Sequence, residues 1–422
     1  MPKHDVIVIG AGIAGLSAAV HLSNEGLSVK VVEASDRIGG RIKTDKVDGF
    51  LLDHGFQVLL TAYPEALRML DYNSLHLKNF NPGALVWYEN KLQTFIDPFR
   101  KPMSGLGTLF NPIPNWGDLL KITALRNRHK RLSIAQIFKQ PEQSTLKYLK
   151  DWNFSSKIIS SFFKPFISGV FLEDKLSTSS RMFEFVMKMF GEGYAALPEE
   201  GMEAIPKQLA EKLAKDTIAL NSEVVKIGAQ KVDLRNGETL EGKIILVATD
   251  PLTTEKLLPN YSSDSLPMQS VKCLYFTSDK PPINRPILVI NGSNSGIINN
   301  VCVPSLVNPN YAPPGRHLIS VSIIKPVHET EAELINTVKN ELRTWFKREW
   351  RAWDHLKTYD IKHALPRKAQ ISLPSKNKIK PFSPGIYVCG DHTYHGSIQG
   401  AMQGARYTAN AISWDLALSG NK

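Results

Sequence analysis

Residues 6–22 read VIVIGAGIAGLSAAVHL, and residues 28–33 follow with SVKVVE. The first run is apolar, yet it is short for a membrane span and carries no basic region before it, with Asp5 acidic. A strand, turn and helix explain it better. β-Branched residues bounded by glycine predict a strand over 5–9, a helix over 14–24 ended by Gly26, and a second strand over 28–33. Gly10, Gly12 and Gly15 form GxGxxG where the strand meets the helix. Gly10 allows the tight turn, Gly12 lets the backbone approach a pyrophosphate, and Gly15 lets the helix pack on the strand. The helix start adds amide hydrogens and partial positive charge. Glu33 closes the second strand, where a carboxylate can accept both ribose hydroxyls of an adenosine and would repel a 2′-phosphate. The unit reads as a dinucleotide site.

Residues 36–41 read DRIGGR, three residues past that acid. An isolated RxGGR would be a solvated turn. Here it resembles the second fingerprint of the flavin-containing amine oxidase superfamily, which includes protoporphyrinogen oxidases and phytoene desaturases. Residues 384–410 (PGIYVCGDHTYHGSIQGAMQGARYTAN) resemble that family's C-terminal fingerprint, a short strand at 386–389 followed by a helix to Ile412. The resemblance implies FAD, held non-covalently. It places Gly10, Gly12, Ile13, Ala14, Gly15, Glu33, Ala34, Arg37, Gly40 and Arg41 on the adenosine and pyrophosphate. It sets Gly390 and Asp391 at the middle of FAD, with Ile398, Gln399 and Ala401 beneath the ring, where a helix start favours the charge that develops on reduction. Residues 51–59 (LLDHGFQVL) resemble the segment passing the isoalloxazine, which puts Gly55, Phe56 and Gln57 near it. Residues 221–227 (NSEVVKI) resemble the strand whose valine, Val224 or Val225, contacts adenine, with a turn at 235–238 and a last strand over 244–250.

The fold class expected is α/β, α+β overall: a Rossmann-like FAD-binding domain of residues 1–73, 200–250 and 381–422, interleaved with a substrate-binding domain of mixed sheet plus helices at 74–199 and 251–380. Helical periodicity recurs over 138–213 (145–152 and 205–213 among the pieces) and over 329–350. Residues 272–278, 286–291 and 317–324 read as strands.

The 422-residue chain is ordinary in composition, 42% hydrophobic and 22% charged, which excludes a disordered or fibrous chain. Its three cysteines are scattered, with neither metal-ligand spacing nor a disulfide framework, which points to a reducing, cytoplasmic setting. The net charge is +11, and two basic stretches stand out. One is 121–131 (KITALRNRHKR); the other holds Arg343, Lys347, Arg348 and Arg351 among Trp345, Trp350 and Trp353. Both fit a solvated face, and both are compatible with a peripheral contact to anionic membrane. No nucleic-acid module accompanies them.

A flavin carries the chemistry itself, so no triad or metal cluster is required, none is read, and no catalytic residue is assigned. Amine oxidases of the superfamily often flank the flavin with two aromatics. Here one of those positions is Ser397, and 367–381 contains no aromatic at all. Lys272 in SVKC resembles the lysine holding a water at flavin N5, although an outward-facing strand residue is the simpler reading. The function expected is FAD-dependent desaturation of a small lipophilic molecule by hydride transfer to flavin N5, with oxygen or a quinone as electron acceptor. The alternatives are amine oxidation to imine and peroxide, and a non-catalytic binding protein on this fold.

Overall fold

The computed structural model describes residues 3–96, 100, 111–262, 266–347, 353–367, 371 and 379–420. Its first sheet grows from the VIVI run. In β1 (His4–Ile9), Val6 and Val8 join one hydrophobic cluster while Ile7 and Ile9 join another on the opposite face. A strand buried on both faces belongs in the middle of a parallel sheet. β1 pairs in parallel with β2 (Val29–Val32) on one side and with the strand Thr239–Val247 on the other. Ile218–Ala219 extends the sheet beyond β2, and Ile386–Val388 pairs in parallel with Thr239–Val247. An antiparallel arm, Val224–Gly228 and Lys231–Leu234, completes it. Three distant stretches of chain thus build one sheet.

Helix α1 (Ile13–Asn24) crosses between β1 and β2 and packs against the long C-terminal helix Ile398–Gly420. Gly26, with φ +80°, stops α1 in a Schellman turn, Leu27 N donating to Leu22 O and Gly26 N to Ser23 O.

The second sheet runs in the order Asp354–Arg367, Leu266–Ser278, His317–Ile323, Asn300–Cys302, Leu288–Asn291, Gly83–Tyr88, Lys91–Ile96. On one face Leu274, Phe276, Ile319 and Val321 meet Leu334, Val338, Leu342 and Trp345 of the helix Glu331–Phe346. That spacing is one face of a helix. The helix starts at Glu331, not 329, because Thr330 caps it in a reciprocal box with Glu333. Arg348, Trp350 and Arg351 lie outside the described residues. The other face of the sheet looks toward helices from the 116–192 stretch: Trp116–Arg131, Thr145–Asp151, Lys164–Phe171 with the π-helical turn Ile159–Phe163 before it, and Ser180–Glu192.

Two expected elements shift. The strand expected over 221–227 runs instead over Val224–Gly228, because Asn221 takes φ +52° and Ser222 N is drawn to Glu33 O. Before the turn at 235–238 the chain inserts Lys231–Leu234, with Gln230 at φ +59° making the reversal without a glycine. The strand expected over 244–250 ends at Val247, since the Asp250 carboxylate caps the helix Pro251–Leu257 by accepting from Leu252 N and Thr253 N.

Candidate active site

The two glycine fingerprints lie back to back. Gly39 N donates to Ala11 O at 2.9 Å, and a Cβ on Gly40 would stand 3.2 Å from Gly12 Cα. A Cβ on Gly15 would meet Gly10 O at 1.9 Å, so the turn into α1 closes only around glycine. No side chain caps α1, and Gly12, Ile13 and Ala14 at its start line a large cavity. Glu33 lines it too, already aligned: one carboxylate oxygen accepts from Ala11 N at 2.8 Å, the other from Ser35 N at 3.0 Å and Ser35 Oγ at 2.8 Å.

Across the same cavity, Arg41 meets Asp391 at 2.6 Å, joining the second fingerprint to the C-terminal one over 350 residues. Burial alone would raise the Asp391 acid, but the Arg41 charge outweighs it and holds the pKa below the ordinary carboxylate value. Gln57 donates to Arg41 O at 2.9 Å, and its Oε1 has no partner among the described residues. Ser397 opens the C-terminal helix by accepting from Gly400 N, and Ser397, Ile398 and Ala401 face the cavity.

Of the residues expected at the cofactor, Gly10, Gly12, Ile13, Ala14, Glu33, Ala34, Gly40, Arg41, Gly55, Phe56, Gln57, Val224, Gly390, Asp391, Ile398 and Ala401 line this one cavity. Four expected residues stand behind it. Gly15 is part of the turn itself. Arg37 is drawn off by Asp45 at 2.8 Å, with Glu203 at 3.8 Å. Burial would raise Asp45, yet donors from Tyr359, Lys357 and Arg37 hold it well below the usual carboxylate range. Val225 is 49% exposed while Val224 is buried, as alternation along a strand requires. Gln399 turns inward, accepting from Glu65 N at 2.9 Å. Lys272 does not line the cavity either: its neighbour Val271 does, and Lys272 pairs with Asp360 at 2.9 Å.

Sequence reading missed Tyr63, which lines the cavity with its hydroxyl close to Ser397 and its ring stacked on Phe185 at 6.0 Å. An aromatic does therefore stand beside position 397, delivered from the other end of the chain. Neither Tyr394 nor His395 lines the cavity, and both are buried. Thr249, Asp250 and Thr253 also line it, and the Asp-Pro helix start at 250–251 was a readable signal for them.

The cavity measures about 1290 Å³. Ordinary small-molecule sites occupy roughly 300–1,000 Å³, so there is room for a second molecule beside a dinucleotide.

A family model described as flavin containing amine oxidoreductase matches residues 13–413. The chain belongs to this family. It is 22% identical to a chloroplastic/chromoplastic 15-cis-phytoene desaturase of Arabidopsis thaliana, over 98% of this chain and 80% of that protein. A 4,4′-diapolycopene oxygenase of Methylomonas sp is 27% identical over 63% of this chain and 59% of its own. Cyclohexylamine oxidase from Brevibacterium oxydans IH-35A has the same fold, with a TM-score of 0.73 at 17% identity, covering 99% of this chain and all of that one.

As a member of this family the protein is an FAD-dependent oxidoreductase acting on a small molecule with an electron acceptor. The cavity fits that cofactor. It offers an uncapped helix start and glycine cradle for phosphates, an aligned carboxylate for a ribose, and at Gln57 a buried acceptor without a partner.

Proposed function

We propose that this enzyme desaturates a small lipophilic substrate, and the observation that carries the reading is an aromatic stretch of the cavity wall. Phe95, Phe162, Phe166 and Phe190 form a run of contacting rings there, with centroids 3.9, 5.8 and 5.3 Å apart, next to Leu119 and Ile122. Bound FAD supplies the hydride acceptor, flavin N5. The protein's work is to hold the cofactor and the C–H bond together and to exclude water. In this reading Glu33 holds the ribose, the α1 amides and Gly40 the pyrophosphate, and Arg41–Asp391 the middle of FAD. Gly55, Phe56, Gln57, Ile398 and Ala401 flank the ring, and Val224 borders the adenine. Residues 1–73, 200–250 and 381–422 form the FAD-binding domain, and 74–199 with 251–380 the substrate domain. This division is supported by the strands of the first sheet falling in the former set and those of the second sheet in the latter.

The test is product mass. Incubation of the holoprotein with long-chain polyenes and a quinone should yield product lighter by two hydrogens. Turnover of primary amines to peroxide, with no polyene product, would replace desaturation by amine oxidation. Tyr63 beside Ser397 is the observation favouring that second reading.

The helix Trp116–Arg131 supports a peripheral membrane contact. Trp116 is 71% and Leu120 73% exposed, on the helix whose Leu119 and Ile122 line the cavity. No described helix is long and apolar enough to cross a membrane. Trp116→Ala/Leu120→Ala should reduce sedimentation with vesicles containing phosphatidylserine; equal sedimentation of both proteins would remove the contact.

A further inference from the structure

The aromatic run has a charged end. The last ring, Phe190, gives its carbonyl to Arg100 Nη1 at 2.8 Å, and Gly193 O accepts from the same nitrogen at 2.7 Å. Carbonyls satisfy donors without cancelling charge, and the Arg100 guanidinium lies 4.0 Å over the Tyr194 ring. Lys188, two residues before Phe190 on the helix Ser180–Glu192, donates to His129 O at 2.9 Å, tying that helix to the last turns of Trp116–Arg131. From those turns Arg126 and Lys130 also line the cavity. Arg100, Arg126, Lys130 and Lys188 therefore bring four cations to the end of an apolar chamber, and Glu192, paired with Lys188, is the one carboxylate among the lining residues of these elements. Arg128, in the same turns, is spent on the buried Glu184 at 2.9 Å and is not part of the lining.

Basic residues in last helical turns complement the helix dipole. That effect accounts for Lys130 but not for Arg126 or Lys188, nor for the convergence of two helices and Arg100 on one cavity. A net charge of +3 against low-dielectric walls concentrates anions.

We propose that the substrate is an amphipath: an apolar body lying along Phe95, Phe162, Phe166 and Phe190, and an anionic oxygen head, carboxylate or phosphate, held by Arg100, Arg126, Lys130 and Lys188. This rests on the desaturase reading for its chemistry but not for its binding site. The head group fixes how far the chain reaches toward the flavin, and so which bond is presented.

The test uses the FAD-loaded protein and parinaric acid, a polyene carboxylate whose fluorescence rises in apolar sites, with its methyl ester as the uncharged control. The acid should bind at least tenfold more tightly than the ester. Arg126→Gln/Lys130→Gln should remove most of that preference, while Glu192→Gln should strengthen acid binding, a gain that no folding defect could mimic. Displacement of the probe by dodecanoate or by dodecyl phosphate supports the proposal and assigns the head; displacement by neither, or equal binding of acid and ester in all variants, overturns it. Failure of the bound probe to lose two hydrogens with a quinone present would defeat the desaturase reading while leaving the binding result to stand on its own.

Discussion

Glu33 is held in place before any ligand arrives. Three donors from the Ala11 and Ser35 positions set its carboxylate facing the cavity. Charge-assisted hydrogen bonds contribute roughly 1.5–3 kcal/mol each. Glu33→Gln should therefore weaken FAD about 10- to 100-fold, read as the dissociation constant from quenching of flavin fluorescence; an unchanged constant would mean that the ribose is held elsewhere. Asp53 is the opposite case, a carboxyl buried for architecture. It accepts from Thr44 Oγ1 at 2.6 Å, the Tyr311 hydroxyl at 2.7 Å and Met202 N at 3.0 Å, yet burial pushes its pKa up to about 6. In the unfolded chain it ionises near its ordinary value of about 4. The folded state thus holds the proton more tightly, and the stability Asp53 contributes is complete below about pH 4 and lost as pH rises through about 6. Relative to Asp53→Asn, the wild type should lose up to about 3 kcal/mol between these limits in denaturant titrations. A pH-independent difference would place the Asp53 pKa at its ordinary value.

At the scale of elements, the βαβ unit was legible almost to the residue. An apolar run broken by three glycines allows few alternatives, and the geometry turns on one contact, Gly15 against Gly10 O. Gly15→Ala should cost about 1–3 kcal/mol of stability through overpacking and lower FAD occupancy together. Normal flavin content in a protein of wild-type melting temperature would show that the turn has slack. Other elements were less legible for identifiable reasons. Gln230 reverses the chain in a conformation usually given to glycine, so the extra strand Lys231–Leu234 carried no turn signal. Arg37 and Arg41 look equivalent in DRIGGR, but only the fold decides that Arg37 faces Asp45 and Arg41 faces Asp391. Val224 and Val225 were equal candidates for the adenine, and the strand register turns Val225 outward.

Across the whole molecule, the site is built by contacts between residues hundreds of positions apart. Arg41 with Asp391, and Tyr63 with Ser397, bring the two ends of the chain to one cavity. Motifs at each end announced the cofactor, because phosphate binding constrains backbone locally. The substrate chamber had no such signature: its aromatic run is assembled from three segments, Phe95, the 162–166 turn and Phe190, whose proximity is a property of the fold. The central claim, that this cavity presents an apolar chain to FAD, is tested most directly by mixing the purified holoprotein with candidate substrates without oxygen and following the flavin band near about 450 nm. Long-chain polyenes, foremost those bearing an acidic head, should bleach it while simple amines leave it unchanged. Bleaching by amines with polyenes inert would contradict the account.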